Sequence, residues 1–148
     1  MNEIKINATG SADLVTASRI LENEKVLDSF GHVSVRSALR PDRFFMPRAM
    51  APALVTAADI VELDLDCKPV DPNAPRTNGE RFIHGEVYRA RPDVISVIHS
   101  HSQGVIPFGI AGVPLRPVLV QAGFLPLETP VYEARDAQAG ESERGIMV

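Results

Sequence analysis

The sequence predicts a layered α/β or α+β sandwich, and three features carry that expectation. Stretches with apolar residues at helical spacing are interleaved with stretches of two-residue alternation. A nearly continuous apolar run, Val94-Ile95-Ser96-Val97-Ile98, follows one of the helical stretches, and turn-rich pieces separate the rest. With 148 residues and 45% hydrophobic composition the chain can fill one core, so a single domain over 1–148 is expected.

Ser11 is placed to cap a first helix whose apolar residues Leu14, Val15, Ala17, Ile20 and Leu21 share a face, with an end near Glu24-Lys25. After Asp28-Ser29-Phe30-Gly31, Val33 and Val35 alternate with His32, Ser34 and Arg36, the period of a half-buried strand. Arg43-Phe44-Phe45-Met46 reads as a second strand, and the alternating stretch from Ala58 to Leu65 as a third. Asp71 to Gly79 is dense in Pro, Asn, Asp and Gly and must be a loop. From Glu80, the residues Phe82, Ile83, Val87 and Ala90 give one apolar face of a second helix, which Pro92 stops. The run Val94 to Ile98 has the look of a strand covered on both faces. Gly104 to Ala111 fits a short helix, and Pro114, Pro117, Pro126 and Pro130 break the remainder into short strands or loops.

The net charge of −4 offers no broad basic field, which argues against nucleic acid as a partner. The N-terminal stretch is polar and no apolar run is long enough to span a bilayer, so no membrane association and a cytoplasmic location are expected. Cys67 is the one cysteine, which excludes an internal disulfide and reads as a half-buried strand thiol.

Three residues point to chemistry. His99 and His101 lie two apart at the end of a strand, so their imidazoles face one side and can converge on a divalent transition metal. Glu80 opens the preceding helix, where a carboxylate can serve as a ligand or as a proton-transferring group. His84 falls one turn further along the same face and is expected to pack against the sheet. Ser29, Gly31 and His32 form a polar patch at a glycine turn whose backbone N–H groups can hold an anion, and Arg76, Thr77 and Asn78 could meet the same anion.

Gly31-His32-Val33-Ser34-Val35-Arg36, Met46-Pro47, Ile60-Val61, Glu80 followed by His84, and Arg91-Pro92-Asp93-Val94 leading to Val97-Ile98-His99-Ser100-His101 together resemble the class II aldolase/adducin family. The resemblance runs from about Ser11 to Pro130. It implies a three-layer α/β/α sandwich with a mainly antiparallel central sheet, a homo-oligomer, and a divalent metal, zinc foremost, with manganese or iron as alternatives. By matching positions, His99 and His101 are the metal ligands and Glu80 the catalytic residue, while Ser29, His32, Asn78 and Gly79 belong to the substrate-binding loops.

Where the sugar-phosphate aldolases of the family carry a serine pair and an amide, this chain has Asn78-Gly79 and the imidazole of His32, which suits a carboxylate better than a phosphate. No tyrosine stands near Val118, where those aldolases place one. The run from Arg76 to His84 and the Pro107-Phe108-Gly109 region are similar to the decarboxylase branch. The expected activity is therefore a metal-dependent carbon–carbon lyase, a decarboxylase of a small anionic hydroxy- or oxo-carboxylic acid from aromatic degradation. Sugar-phosphate aldolase, metal-dependent oxygenase and non-catalytic adducin-like interaction module are the alternatives. The family's third histidine, in a His-Gly turn, has no counterpart after His101, and Gly145-Ile146-Met147-Val148 resembles the start of the next family segment. C-terminal truncation is expected on that ground, and little or no turnover is expected only of a chain that truly ends there.

Overall fold

The computed structural model describes residues 2–130, with side chains from residue 12 onward. The expected family segment at residues 145–148 lies outside the described residues. The chain runs through α1 (Asn2–Asn23), β1 (His32–Arg36), β2 (Arg43–Pro47), β3 (Ile60–Asp64), α2 (Arg81–Ala90), β4 (Ser96–His99) and α3 (Ile106–Ala111), with short 3-10 turns at Pro52–Leu54, Ala57–Asp59 and Val120–Ala122. The strands form one sheet in the order β3-β2-β1-β4, and every pairing is antiparallel.

Helix α1 begins well before the expected cap, so Ser11 lies inside it. Its inward stripe is Leu14 and Ser18, the latter's hydroxyl satisfied by the Leu14 carbonyl at 2.8 Å. Ile20, expected on that face, is 56% exposed, because it stands about 120° round the helix from Leu14 at 3.6 residues per turn. Leu14 and Ala17 line a small cleft with Val33 and Val35, which places α1 on the odd-numbered face of β1.

The opposite face of the sheet holds the core. Phe44, Met46, Val61, Leu63, Cys67 and Tyr88 form one buried cluster, joining β2 and β3 to α2. Each fully buried aliphatic or aromatic side chain stabilises the fold by about 1.5–3 kcal/mol relative to exposure. Helices on both faces of an antiparallel sheet make the three-layer α/β/α arrangement.

Two expectations about faces are reversed. His32, Ser34 and Arg36 look like the wet side of a half-buried strand, yet all three are buried beneath α2. Polar groups can occupy such a face because each finds partners. Arg36 donates to the carbonyls of Val94, Pro41, Tyr88 and Arg91 at 2.6–3.0 Å and stacks over the Tyr88 ring. The buried face of α2 is correspondingly His84, Gly85 and Tyr88, rather than the apolar Phe82, Ile83, Val87 and Ala90.

The strand expected to be covered on both sides, β4, lies at the edge of the sheet among the described residues, with Ile98 49% exposed and Ile95, just before it, 62% exposed. Among the described residues β4 pairs with β1 alone. The third strand starts at Ile60 rather than Ala58, because Asp59 accepts hydrogen bonds from the N–H and hydroxyl of Thr56 and closes a turn. Cys67 is in a turn rather than a strand. It is fully buried, with φ of 61°, and α2 approaches so closely that a Cβ on Gly85 would lie 2.3 Å from its sulfur.

Candidate metal centre and adjoining cleft

All four histidines of the chain come together with Glu80 at one end of the sheet. Register explains this. His32 opens β1 directly opposite His99 at the end of β4, and the two rings stack at 5.1 Å between centroids. The loop before α2 is tied to the end of β2 by the Arg48–Thr77 bridge and by the Ala49 N–H to the Arg76 carbonyl at 3.0 Å. That tether brings Glu80, in the N-cap position of α2, over the same strand ends. Asn78 Oδ1 accepts from the Glu80 N–H at 2.9 Å, which leaves the Glu80 side chain free to turn inward.

Glu80 Oε2 is 3.2 Å from His32 Nε2 and 3.5 Å from His99 Nε2. The Nε2 atoms of His99 and His101 are 3.1 Å apart, so the expected convergence of this pair is present. Two imidazole nitrogens bound to one tetrahedral zinc at 2.0–2.1 Å would be about 3.3 Å apart, so the pair already has the spacing of ligands sharing an ion. Taking proximity alone, His32, Glu80 and His99 could also hold a metal, their donor atoms lying within 4.8 Å of one another. The donor set of imidazoles and one carboxylate suits zinc, manganese or iron.

A carboxylate absent from the sequence reading completes the arrangement. His101 Nδ1 lies 3.1 Å from Asp28 Oδ2, which fixes the N–H on Nδ1 and turns the Nε2 lone pair towards His99. Asp28 Oδ1 also accepts the N–H groups of Phe30 and Gly31 at 2.9 and 2.8 Å. Those bonds hold its carboxyl below the usual range, with His101 adding to the effect. The turn N–H groups that seemed open to an anion are thus already occupied by the chain's own carboxylate. An aspartate two and three residues ahead of a Phe-Gly turn was the available signal. Gly31 itself is required, since a Cβ there would meet Leu27 at 2.8 Å and the His99 carbonyl at 3.0 Å.

Behind the site, His32 Nδ1 is 2.7 Å from His84 Nε2, His84 Nδ1 is 2.6 Å from Ser34 Oγ, and Ser34 Oγ is 2.7 Å from the Tyr88 hydroxyl. Burial drives the His84 pKa down to about 3 and, against the pull of Glu80, lowers that of His32 as well. Burial pushes the Tyr88 phenol up to about 12. His84 therefore packs against the sheet as expected, but as one link of a polar chain that the sequence did not disclose.

In front of Glu80 lies a cavity of about 300 Å³ lined by Ser29, Phe30, Ala49, Met50, Ala51 and Asn78. Of the four residues expected in the substrate-binding loops, Ser29 and Asn78 line this cavity, whereas His32 is buried behind Glu80. Gly79 is exposed at the helix start, and a Cβ there would meet nothing within 4 Å, so the spot does not demand glycine. Met50 and its alanine neighbours were missed; only the fold of the loop after β2 brings them here. Arg76 is exposed and Thr77 is engaged in the bridge to Arg48, so neither joins Asn78 in lining this cavity.

The profile of the class II aldolase and adducin N-terminal domain matches residues 12–146. The chain belongs to the class II aldolase/adducin family. It is 44% identical over 121 residues to decarboxylase tropJ of Talaromyces stipitatus, covering 80% of this chain and 46% of that protein. It is 32% identical over 111 residues to a 3,4-dihydroxyphthalate decarboxylase of a Terrabacter species, covering 70% and 46%. A solved L-fuculose 1-phosphate aldolase from Glaciozyma antarctica superposes with a TM-score of 0.66 at 28% identity, over 74% of this chain and 47% of that one. The chain thus spans about half the length of these relatives. The shared fold agrees with the layered antiparallel sandwich that the resemblance implied.

Proposed function

We propose that this chain serves a metal-dependent carbon–carbon lyase that decarboxylates a small hydroxy- or oxo-carboxylic acid, an aromatic one foremost. The observation that carries the reading is the contact of Glu80 with His99, and of His99 with His101, beside a cavity with one apolar wall. Phe30, Met50, Ala49 and Ala51 supply a surface for a ring, while Ser29 and Asn78 supply polar contacts for its substituents. The N–H groups of Phe30 and Gly31 are held by Asp28, so this turn does not offer the backbone cradle that a phosphate would use. The decarboxylase names of two relatives support the same branch.

In this reading His99 and His101 hold a divalent ion, zinc foremost, with Asp28 orienting His101. When bound, the ion supplies Lewis-acid stabilisation of the enolate left as carbon dioxide departs. Glu80 moves the proton to the carbon that loses the carboxylate. His32 holds Glu80 in place from behind the cavity, its Nε2 3.2 Å from the carboxylate. A homo-oligomer, a cytoplasmic location and a small-molecule partner belong to this same proposal. At about 300 Å³ the cavity has room for a single-ring acid.

The test measures zinc binding by calorimetry, and carbon dioxide release from ortho-hydroxylated aromatic acids, for the chain and for His99→Ala and Glu80→Gln. The expected result is zinc affinity lost in His99→Ala, and release reduced by roughly 10²- to 10⁴-fold in Glu80→Gln with zinc retained. Zinc bound no more tightly by the parent chain than by His99→Ala would sink the proposal and leave a non-catalytic module.

A further inference from the structure

The chain of contacts from Tyr88 to Glu80 admits only one direction of donation in which every hydrogen has an acceptor. Five groups are involved: the Tyr88 hydroxyl, Ser34 Oγ, the two nitrogens of His84, the two of His32, and Glu80. Ser34 and His84 are 0% exposed and Tyr88 1%, so water cannot repair a missing bond in the inner part.

Suppose first that donation runs outward. Tyr88 donates to Ser34, Ser34 to His84 Nδ1, His84 Nε2–H to His32 Nδ1, and His32 Nε2–H to the Glu80 carboxylate. Each hydrogen is then used, and the carboxylate, which has no hydrogen of its own, receives one. The Tyr88 oxygen also takes a hydrogen bond from the Val97 backbone, which suits a hydroxyl whose own hydrogen points to Ser34. In the reverse direction His32 Nδ1–H donates to His84, and His84 Nδ1–H donates to Ser34. The hydrogens of Ser34 and Tyr88 then compete for one bond, and one hydroxyl hydrogen is orphaned in the core. At the other end a bare His32 Nε2 faces a carboxylate oxygen at 3.2 Å. Each fault leaves a buried polar group without its partner, so the outward direction wins.

We infer that Tyr88, Ser34 and His84 are positioning residues that fix His32 as its Nε2–H tautomer, a neutral hydrogen-bond donor aimed at Glu80. Two consequences follow. In that tautomer His32 has no lone pair at Nε2 to offer an ion, so despite its place in the cluster with Glu80 and His99 it could bind one only by giving up the arrangement. It gives the Glu80 carboxylate a fixed N–H partner without a positive charge of its own. Neither consequence rests on the decarboxylase reading.

The experiment uses the full 148-residue chain, metal-free and with ¹⁵N-labelled histidine, and reads ring-nitrogen shifts and couplings by long-range ¹H–¹⁵N correlation. The expected pattern is protonated Nε2 and bare Nδ1 in both His32 and His84. Glu80→Gln removes the pull at the outer end, and both rings are expected to keep that pattern because the inner end still holds them. The double variant Ser34→Ala/Glu80→Gln is expected to lose it, His32 becoming a mixture of tautomers, and Ser34→Thr/Glu80→Gln to regain it. A protonated Nδ1 on His32 in the parent chain or in Glu80→Gln overturns the inference, as does an unchanged pattern in the alanine double variant. No metal or turnover enters these readings, so failure of the lyase proposal would leave them standing, and the reverse.

Discussion

The carboxylate of Asp28 lies 3.1 Å from Nδ1 of His101, while the opposite nitrogen of the same ring lies 3.1 Å from His99 Nε2. One imidazole therefore spans from a turn carboxylate to the proposed metal. This is the arrangement by which an outer carboxylate sets the tautomer and basicity of a ligand.

Replacing that carboxylate tests the arrangement. Asp28→Asn keeps an oxygen for the Phe30 and Gly31 N–H groups and so preserves the turn, but it removes the anion beside His101. Zinc affinity is expected to fall roughly 10- to 100-fold with little change in melting temperature. Equal zinc affinity in calorimetry would remove Asp28 from the site.

Acid stability reports on the buried His84. Its pKa falls from 6.5 to about 3 on folding, and that of His32 falls too, so between these limits the unfolded chain binds protons that the folded chain does not. Stability contributed by the neutral ring is complete above pH 6.5 and is lost as pH drops, at roughly 1.4 kcal/mol per pH unit for one group. Asp59 and Asp93, held at about 2 against an ordinary 3.8, act only at lower pH, so the window from 6 to 4.5 isolates the histidines. Urea unfolding of metal-free protein across that window should show the slope, and His84→Gln should flatten it while lowering stability throughout. A parent chain equally stable at both ends of the window would contradict the burial of a neutral ring.

Gly85 is needed because α2 presses onto the turn at Cys67. Gly85→Ala is expected to destabilise by about 1–3 kcal/mol or more, since the added carbon would sit 2.3 Å from the sulfur. Cys67→Gly removes the obstacle and relieves the positive φ, so the pair should be less destabilised than the sum of the singles, with a coupling above about 0.5 kcal/mol. Additive effects in a denaturation cycle would refute the contact.

Arg36 is a staple as much as a charge. Its guanidinium reaches four carbonyls, two of them at the end of α2, and covers the Tyr88 ring. Lysine cannot reproduce the fork, so Arg36→Lys should cost roughly 2–4 kcal/mol in chemical unfolding. A loss under about half a kcal/mol would mean that water replaces the guanidinium, against its burial.

Local pattern in the sequence decided much of this protein. Alternation at Val33 and Val35, the turn-rich stretch before Glu80, the stop at Pro92 and the His99-Ser100-His101 spacing fixed which segments are strands, loop and helix, and brought the proposed ligand pair to one side. These features depend on residues close in the chain, where periodicity and turn chemistry act directly. Tertiary structure decided what pattern cannot hold: that the polar side of β1 is its buried side, that Asp28 reaches His101 across 73 positions, and that His32, His84, Ser34 and Tyr88 join in one chain of bonds across 50 to 54 positions of sequence. The physical reason is that a buried polar group is stable only beside its partner, and which partner arrives is set by sheet register and helix placement.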